Sequence, residues 1–337
     1  MQHPLTVQSF LAAAGPLLDV RTPSEFERGH IPGSENLPLF SDAERAEVGT
    51  LYSQQGSQPA VVRGLQLVGP RLAPLAEQLL NKSRQGPLRI LCWRGGMRSG
   101  SVAWLAETLA LPVLRLEGGY KSFRRWVLEC FGQPWPLRLL GGPTGCGKTE
   151  VLLALQRLGA AMVDLEAIAN HRGSSFGGLG QLPQPTVEHF ENLLAMALSQ
   201  LKGSAPIWLE AESAQVGRCR IPADFWKQMQ QAPLVLLERP LQQRIAHLVE
   251  IYGQQAPQGL LDATERLARK LGPQRTQSAT DLIRAGNLAA ASAVILEYYD
   301  RTYSHGLRRD FAPLARIWAE ELDAEQVARR LIAHHSA

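Results

Sequence analysis

Short apolar runs alternate with stretches of helical period along the first third of the chain. Apolar residues recur every three or four positions around 41–55, around 60–80, after Ser99 and over 120–130, which predicts helices there. Between them lie compact apolar runs near glycines and prolines, which predict strands at "PLLDVR" (16–21), "PLRIL" (87–91) and "PVLRL" (112–116). Strands that alternate with helices favour a parallel sheet with helices on both faces.

The same alternation starts again at residue 137. Strands are predicted at "LRLLG" (137–141), "AAMVDL" (160–165), "APIWLE" (205–210), "PLVLLE" (233–238) and "ARIWA" (315–319). Helices are predicted over 150–159, near 186–201, 222–231 and 240–252, and through most of 257–300. Since "FGQPWP" (131–136) places two prolines between the regions, we predict two α/β domains, residues 1–132 and 133–337, the second with a helical extension from about 257.

Composition narrows the class of protein. A chain of 337 residues that is 45% hydrophobic and 20% charged has the make-up of a soluble globular protein. The start lacks the pattern of a signal peptide, and no apolar run approaches the roughly 18 residues of a membrane span. The four cysteines form no C-x-x-C pair, which favours reduced thiols in the cytoplasm over disulfides or zinc: Cys92, Cys130, Cys146 and Cys219. The net charge of +4 is spread over both regions and does not by itself establish a nucleic-acid partner.

Residues 92–100, "CWRGGMRSG", connect the strand that ends at residue 91 to the following helix. Backbone N–H groups converge at such a junction, and the helix dipole favours negative charge there. The glycines allow the backbone to curl, and an arginine suits an oxyanion. We interpret the stretch as an anion-binding loop with a catalytic thiol at its base; the candidate residues are Cys92 and, around the anion, Trp93, Arg94, Gly95, Gly96, Met97, Arg98 and Ser99.

A second glycine loop fits G-x-x-x-x-G-K-[ST] throughout and lies between a predicted strand and a predicted helix. In that pattern, backbone N–H groups cradle a di- or triphosphate, the lysine reaches its outer oxygens, and the threonine is placed to hold Mg²⁺. The candidate phosphate-binding residues are Gly142, Pro143, Thr144, Gly145, Cys146, Gly147, Lys148 and Thr149. We interpret Cys146 as a small residue that fits the loop rather than as a reactive thiol.

Further candidates rest on position alone. Carboxylates at or near predicted strand ends are candidate ligands for a metal near the phosphate loop, although no metal site is assigned: Asp164, Glu210, Glu212 and Glu238. The polar glycine loop "HRGSSFGG" (171–178) lies on the expected ligand side of the sheet and offers His171, Arg172 and Ser174 as substrate contacts.

The first region resembles a rhodanese domain. "LLDVRTPSEFERGHIPGSENLP" (17–38) is similar to the opening motif of that family, and Cys92 falls where the family carries its sulfur-accepting cysteine. The loop differs in length, because Cys92-x5-Arg98 matches the longer loop of the cell-cycle tyrosine phosphatases. A longer loop makes room for a larger tetrahedral anion.

Together the two regions resemble, over about residues 5–330, the tRNA 2-selenouridine synthase family. The resemblance rests on the order of "CWRGGMRSG", "GGPTGCGKT", "DLEAIANHRGSSFG" and "WLEAES". It implies an enzyme that acts on 5-substituted 2-thiouridine at the wobble position of bacterial tRNAs. The sulfur would be alkylated by geranyl diphosphate, and geranylthiol would then be replaced by selenium from selenophosphate. No tightly bound cofactor is implied; Mg²⁺ is a candidate ion, and an upstream enzyme would supply selenophosphate.

The residues alone leave three alternative functions open. One is a sulfurtransferase, with a persulfide on Cys92, fused to a nucleotide-binding kinase-like domain. Another is a phosphatase, suggested by the C-x5-R loop but disfavoured because the region before Cys92 offers no obvious general acid. A non-catalytic tRNA-binding module is disfavoured by two complete chemical loops. The sequence leaves open whether ATP or GTP binds the second loop, which tRNAs are substrates, and the oligomeric state.

Overall fold

The computed structural model of the chain describes residues 3–310, 313–320 and 322–333, with residues 302–310, 313 and 314 described by their backbone alone. The chain divides into two compact units, Met1–Cys130 and Phe131–Ala337. Within the described ranges, none of the helices has both the length and the apolar character that crossing a membrane requires.

The first unit contains a parallel sheet in the order β2–β1–β3–β4. Its strands are β1 (Leu17–Asp19), β2 (Glu35–Asn36), β3 (Leu88–Leu91) and β4 (Val113–Arg115). Asp19 is opposite Leu91, so β1 and β3 end side by side. Cys92 therefore leaves the sheet at its carboxyl edge, beside the segment that follows β1.

Helices precede, connect and follow these strands: α1 (Val7–Ala12), α2 (Pro23–Arg28), α3 (Asp42–Gln55), α4 (Ser57–Val68), α5 (Leu72–Ser83), α6 (Met97–Thr108) and α7 (Gly119–Phe131). The helix predicted over 60–80 is interrupted by a 3-10 turn at Gly69–Arg71, since Pro70 has no N–H for the helical ladder. Leu75 and Leu79 of α5, four residues apart, pack in one core with Leu18 and Ile90 of the sheet.

The second unit has a parallel sheet in the order β11–β10–β5–β7–β6. Its strands are β5 (Leu137–Gly141), β6 (Ala161–Met162), β7 (Ile207–Glu210), β10 (Leu234–Glu238) and β11 (Pro313–Trp318); β8 (Gln215–Val216) and β9 (Cys219–Arg220) form a separate antiparallel hairpin. Because β5 is central, the glycine loop that follows it opens at the middle of the carboxyl edge, where α/β sheets bind ligands.

Two groups of helices belong to this unit. The first is α8 (Lys148–Arg157), α9 (Leu165–Ala169), α10 (Val187–Gln200), α11 (Ala223–Gln231), α12 (Leu241–Tyr252) and α17 (Ala324–Ala333). The second forms the predicted helical extension and has its own apolar core: α13 (Pro257–Arg266), α14 (Ala268–Leu271), α15 (Pro273–Arg284) and α16 (Leu288–Asp310). The predicted fold class is thus confirmed, with a parallel α/β sheet in each unit and a helical part near the C-terminus.

The strand predicted at 160–165 is wrong in its second half. Strand β6 ends at Met162, and Asp164 caps α9 by accepting a hydrogen bond of 2.7 Å from the backbone N–H of Ala167. Asp164 therefore lies at a helix start instead of a strand end, because an aspartate at this position competes for backbone donors. The hairpin β8–β9 was not predicted, since two-residue strands leave no readable alternation.

Candidate functional site

Cys92 lies at the base of a loop that opens onto a helix without a side-chain cap. The thiol loop, residues 92–99, follows β3, and α6 begins within it at Met97 rather than after Ser99 as predicted. The N-cap residue of α6 is Gly96, which supplies no side-chain acceptor for the first N–H groups of the helix. This arrangement presents backbone donors to an anion.

The Cys92 thiol is almost buried, with 3% of the residue exposed. Its Sγ lies 3.1 Å from the hydroxyl oxygen of Ser99, which is also buried. The Ser99 hydroxyl donates a hydrogen bond of 3.2 Å to the carbonyl of Gly96. Ser99 thereby connects the thiol to the turn that begins the helix, and a substrate must approach Cys92 through the mouth of the loop.

Glycines inside and outside the thiol loop let its backbone pack closely. A Cβ on Gly119 would lie 2.3 Å from the carbonyl oxygen of Cys92, and Gly119 has a φ of +62°. The next residue, Tyr120, donates its backbone N–H to that carbonyl over 2.8 Å. Gly95 also needs positive φ (+68°), whereas a Cβ on Gly96 would meet no atom within 4 Å. Close packing therefore requires Gly95 and Gly119, and Gly119 was not among the predicted residues.

Arg98 is held by an acid that the sequence analysis did not single out. Its Nη1 and Nη2 donate to the carboxylate of Glu25 over 2.5 and 3.1 Å. Burial alone would raise the pKa of Glu25, but the hydrogen bonds from Arg98 and the Thr22 N–H lower it overall. Arg98 is thus oriented and partly neutralised, while Arg94 is exposed. Whether Arg98 contacts a substrate anion stays a prediction.

A buried ion pair between Arg21 and Asp19 also supports the thiol loop. Arg21 and Asp19 are both fully buried, and Nη2 of Arg21 donates to Asp19 over 2.6 Å. The guanidinium of Arg21 also lies 3.6 Å from the ring centre of Tyr120, a cation–π contact. Since the backbone of Tyr120 holds the Cys92 carbonyl, this pair fixes the position of the thiol loop.

The P-loop, residues 142–149, also begins a helix at an uncapped glycine. Gly147 has a left-handed conformation (φ +84°) and is the N-cap of α8, with no side-chain hydrogen bond to the first turn. Lys148 donates from Nζ to the carbonyl of Gly142 over 3.0 Å, which folds the lysine across the loop. A Cβ on Gly142 would lie 2.5 Å from Sγ of Cys146, so the residue that follows the strand must be a glycine. The geometry is that of a phosphate-binding loop.

Cys146 points away from the phosphate side. It is fully buried and belongs to the apolar core of the second sheet. Burial raises the pKa of its thiol, which keeps the sulfur protonated and unreactive. This position agrees with its interpretation as a small packing residue.

Glu166, which was not predicted, is an acid that contacts the P-loop. The Thr149 hydroxyl donates to Oε2 of Glu166 over 3.2 Å. Burial and the neighbouring charge of Glu212 raise the pKa of Glu166 to about 8. The sequence signal was weak, because Glu166 lies inside a five-residue helix and Glu212 comes from another strand connection.

The other predicted residues fall into two groups. Asp164, Arg172, Ser174 and Glu212 line the same pocket as Lys148, Thr149 and the glycines of the P-loop. Glu210 and His171 lie outside the lining of that pocket. Glu210 is fully buried, accepts the Leu165 N–H over 3.1 Å, and has a pKa raised by burial. Glu238, a further candidate, pairs with Arg316 over 2.5 Å and is not part of the pocket lining.

The residues around Thr149 fit the chemistry of Mg²⁺. A hydroxyl and carboxylates supply the oxygen ligands that this ion prefers, and Mg²⁺ commonly needs only one or two carboxylates in addition to substrate phosphates and water. Burial, and after it the charge of Glu212, raises the pKa of Glu166, and a bound cation would stabilise the ionised carboxylate. Among the described residues no group of three or more Asp, Glu, His or Cys side chains is arranged as a metal site by itself.

Comparison with known proteins gives matches across both units. Residues 6–125 match the rhodanese-like domain, and residues 135–330 match the family described as tRNA 2-selenouridine synthase AAA domain. A tRNA 2-selenouridine synthase of Marinobacter nauticus is 36% identical over 87% of this chain and 88% of its own length. Proteins of the same description from Shewanella piezotolerans and Nitrosomonas eutropha are 39% and 37% identical, each over 78% of this chain and over 72% and 69% of their own lengths.

Proposed function

The chain belongs to the tRNA 2-selenouridine synthase family, and on that premise we propose that it exchanges the sulfur of a tRNA 2-thiouridine for selenium in two steps, one at each loop. The sulfur is first alkylated with geranyl diphosphate, and the geranylthio group is then displaced by selenium from selenophosphate. The presence of two separate anion loops, each at a helix start capped by glycine, carries this proposal.

The first step belongs to the P-loop. The sulfur of 2-thiouridine attacks C1 of geranyl diphosphate, the C1–O bond breaks, and the diphosphate leaves with the bonding electrons, while N3 of the uridine gives its proton to water. Lys148 and the N–H groups at the start of α8 bind the diphosphate, on which charge grows as the bond breaks. Thr149 and Glu166 would hold Mg²⁺, which would neutralise part of that charge. Alkylation turns the sulfur into a better leaving group for the next step.

The second step belongs to the thiol loop. Selenophosphate is a tetrahedral anion, and the backbone donors before α6 suit such a group. Its selenium adds to C2 of the S-geranylated uridine, geranylthiolate departs with the electron pair, and hydrolysis of the P–Se bond releases phosphate. Cys92, at the base of the loop, is the proposed catalytic group, and Arg98 aligns the anion from its ion pair with Glu25.

The experiment uses the purified full chain and a tRNA that carries 2-thiouridine. Geranyl diphosphate alone, without any nucleoside triphosphate, should give S-geranylated nucleoside, and added selenophosphate should convert it to 2-selenouridine; mass spectrometry of the nucleosides measures both. A strict need for ATP or GTP, or the absence of a geranylated product, would contradict the proposal. Cells that lack this chain should contain no 2-selenouridine in their tRNA.

A sulfurtransferase remains the second candidate, because the match of residues 6–125 to the rhodanese-like domain favours sulfur transfer at Cys92. Incubation with thiosulfate followed by intact-protein mass spectrometry separates the two. Stoichiometric addition of one sulfur atom that is lost in Cys92→Ser would favour this candidate.

A further inference from the structure

An apolar cavity lies next to the P-loop inside the helical part of the second unit. The cavity volume is about 60 Å³. Most of its wall comes from aliphatic side chains of α12, α13, α15 and α16, among them Leu248, Leu260, Ile283, Ala291 and Ile295. Neither the thiol step nor the phosphate contacts use this cavity.

The cavity and the phosphate pocket share part of their walls. Thr144, Ser174, Leu248, Tyr252 and Tyr299 line both. Thr144 is itself a residue of the P-loop, so the apolar space begins at the loop that grips phosphate. A single ligand can therefore place an anionic head at Lys148 and an uncharged chain among the helices.

Tyr252 and Tyr299 lie between the phosphate pocket and the apolar cavity. The Tyr299 hydroxyl accepts the backbone N–H of Ser175 over 3.0 Å. Burial raises the pKa of both Tyr252 and Tyr299, so both are neutral. A diphosphate that moved past them would lose its hydration without a counter-charge, whereas a hydrocarbon loses nothing.

Arg244 joins the P-loop to the helix that forms the far wall. Its Nε donates to the Thr144 carbonyl over 2.9 Å, and its Nη1 and Nη2 donate to Asp300 of α16 over 3.0 and 2.6 Å. The side chain is 6% exposed. This link fixes the distance between the phosphate loop and the cavity, which a site that measures chain length requires.

Resting on the proposed function, we infer that this cavity holds the hydrocarbon chain of the prenyl diphosphate, and that Ala291 and Ile295 set the length of chain accepted. Ala291 is 2% exposed, and its methyl group leaves room for a chain that a larger side chain would occupy. Each buried CH₂ contributes roughly fourfold to affinity, so a lost isoprene unit should cost at least about tenfold.

The experiment compares Ala291→Phe with Ala289→Phe, a control at an exposed position of the same helix. Affinities for dimethylallyl, geranyl and farnesyl diphosphate are measured by calorimetry on the full chain, with inorganic diphosphate as the head-group probe. Ala291→Phe should lose at least about tenfold for geranyl diphosphate while keeping wild-type affinity for inorganic diphosphate and dimethylallyl diphosphate. Ala289→Phe should match the wild type throughout.

A second variant guards against misfolding of the first. Ile295→Ala enlarges the cavity and should raise the affinity for farnesyl diphosphate relative to geranyl diphosphate at least threefold. If neither variant changes the order of affinities, the cavity does not hold the chain, and the inference is overturned while the proposed function stands. If the wild type binds geranyl diphosphate in the expected order but transfers no geranyl group to thio-tRNA, the proposed function fails and the chain pocket stands.

Discussion

The thiol loop and the P-loop have similar backbone architecture, but their cysteines lie in different surroundings. Each follows a strand of a parallel sheet and begins a helix at a glycine that provides no side-chain cap, Gly96 in one and Gly147 in the other. Each also contains a cysteine. Cys92 contacts a buried hydroxyl beneath the loop mouth, whereas Cys146 is fully buried in the core and has a raised pKa. Both thiols are thus buried, but Cys92 lies beside the Ser99 hydroxyl at the base of its loop, whereas Cys146 is enclosed in the apolar core beneath the P-loop.

The cations of the two loops differ in the same way. Arg98 shares two charge-assisted hydrogen bonds with Glu25, whereas Lys148 makes a hydrogen bond to the neutral carbonyl of Gly142. Lys148 also interacts electrostatically with the carboxylates of Glu150 and Glu166. An anion in the thiol loop must compete with the Glu25 carboxylate for Arg98. We therefore expect backbone donors to contribute much of the anion binding in the thiol loop.

Lys148→Ala should give the largest separation between the loops. Geranylation of thio-tRNA should be abolished, because the lysine stabilises charge that grows on the departing diphosphate. Selenation of tRNA supplied already geranylated should stay normal. A two-substrate assay of the purified variant measures both, with Lys202→Ala, an exposed lysine of the same unit, as the control. Normal geranylation by Lys148→Ala would return the P-loop to a nucleotide-binding or structural role.

Cys92→Ser should have the opposite effect to Lys148→Ala on the two activities. Selenium incorporation should be blocked, because the proposal places selenophosphate against the Cys92 thiol and positioning at that sulfur would be lost. Geranylation should remain largely intact, since it is assigned to the P-loop. The same two-substrate assay applies, and circular dichroism checks folding. Loss of both activities in a folded variant would show that the two loops do not divide the work.

The P-loop was predictable and its acid was not, for a physical reason. All the backbone donors and the lysine of the P-loop lie within eight consecutive residues, so local sequence specifies the geometry. The raised pKa of Glu166 comes from burial and from Glu212, which lies 46 residues further along the chain, after β7. In the thiol loop, Glu25 and Arg98 are 73 residues apart and meet because β1 and β3 are neighbours. Gly119 likewise packs against the thiol loop, although it lies outside residues 92–99.

Arg98→Ala tests the weaker role of charge in the thiol loop. Loss of charge-assisted contacts of roughly 1.5–3 kcal/mol predicts a ten- to hundredfold lower efficiency with selenophosphate, and leaves the Glu25 carboxylate unpaired near the anion. Adding Glu25→Gln to Arg98→Ala should recover part of that loss. Arg94→Ala, an exposed position of the same loop, should change it less. Steady-state kinetics in selenophosphate measure the effect; an equal loss of tRNA binding would show that Arg98 contacts RNA phosphate.

Glu166→Gln tests the carboxylate next to the P-loop through the pH dependence of protein stability. The pKa of Glu166 is about 8 in the folded chain and near 4.5 in the unfolded chain, so the folded state binds the proton more tightly. Its contribution to stability is complete below about pH 4.5 and is lost as the pH rises through about 8. Between pH 6 and 9 the Tm of Glu166→Gln should therefore fall by about 2–5 °C less than that of the wild type. Glu265→Gln, an exposed control, should follow the wild type.

Cys146→Ala should have the smallest effect, and it completes the comparison of the two cysteines. The thiol is fully buried against the sheet with a raised pKa, so its sulfur serves only as packing volume. Removing one buried atom should lower the free energy of unfolding by about 1 kcal/mol and change geranylation by no more than about twofold. Chemical denaturation and the geranylation assay measure these values beside Cys92→Ser. A tenfold or larger loss of geranylation with unchanged stability would give Cys146 a chemical role in the P-loop and end the contrast between a reactive and a structural cysteine.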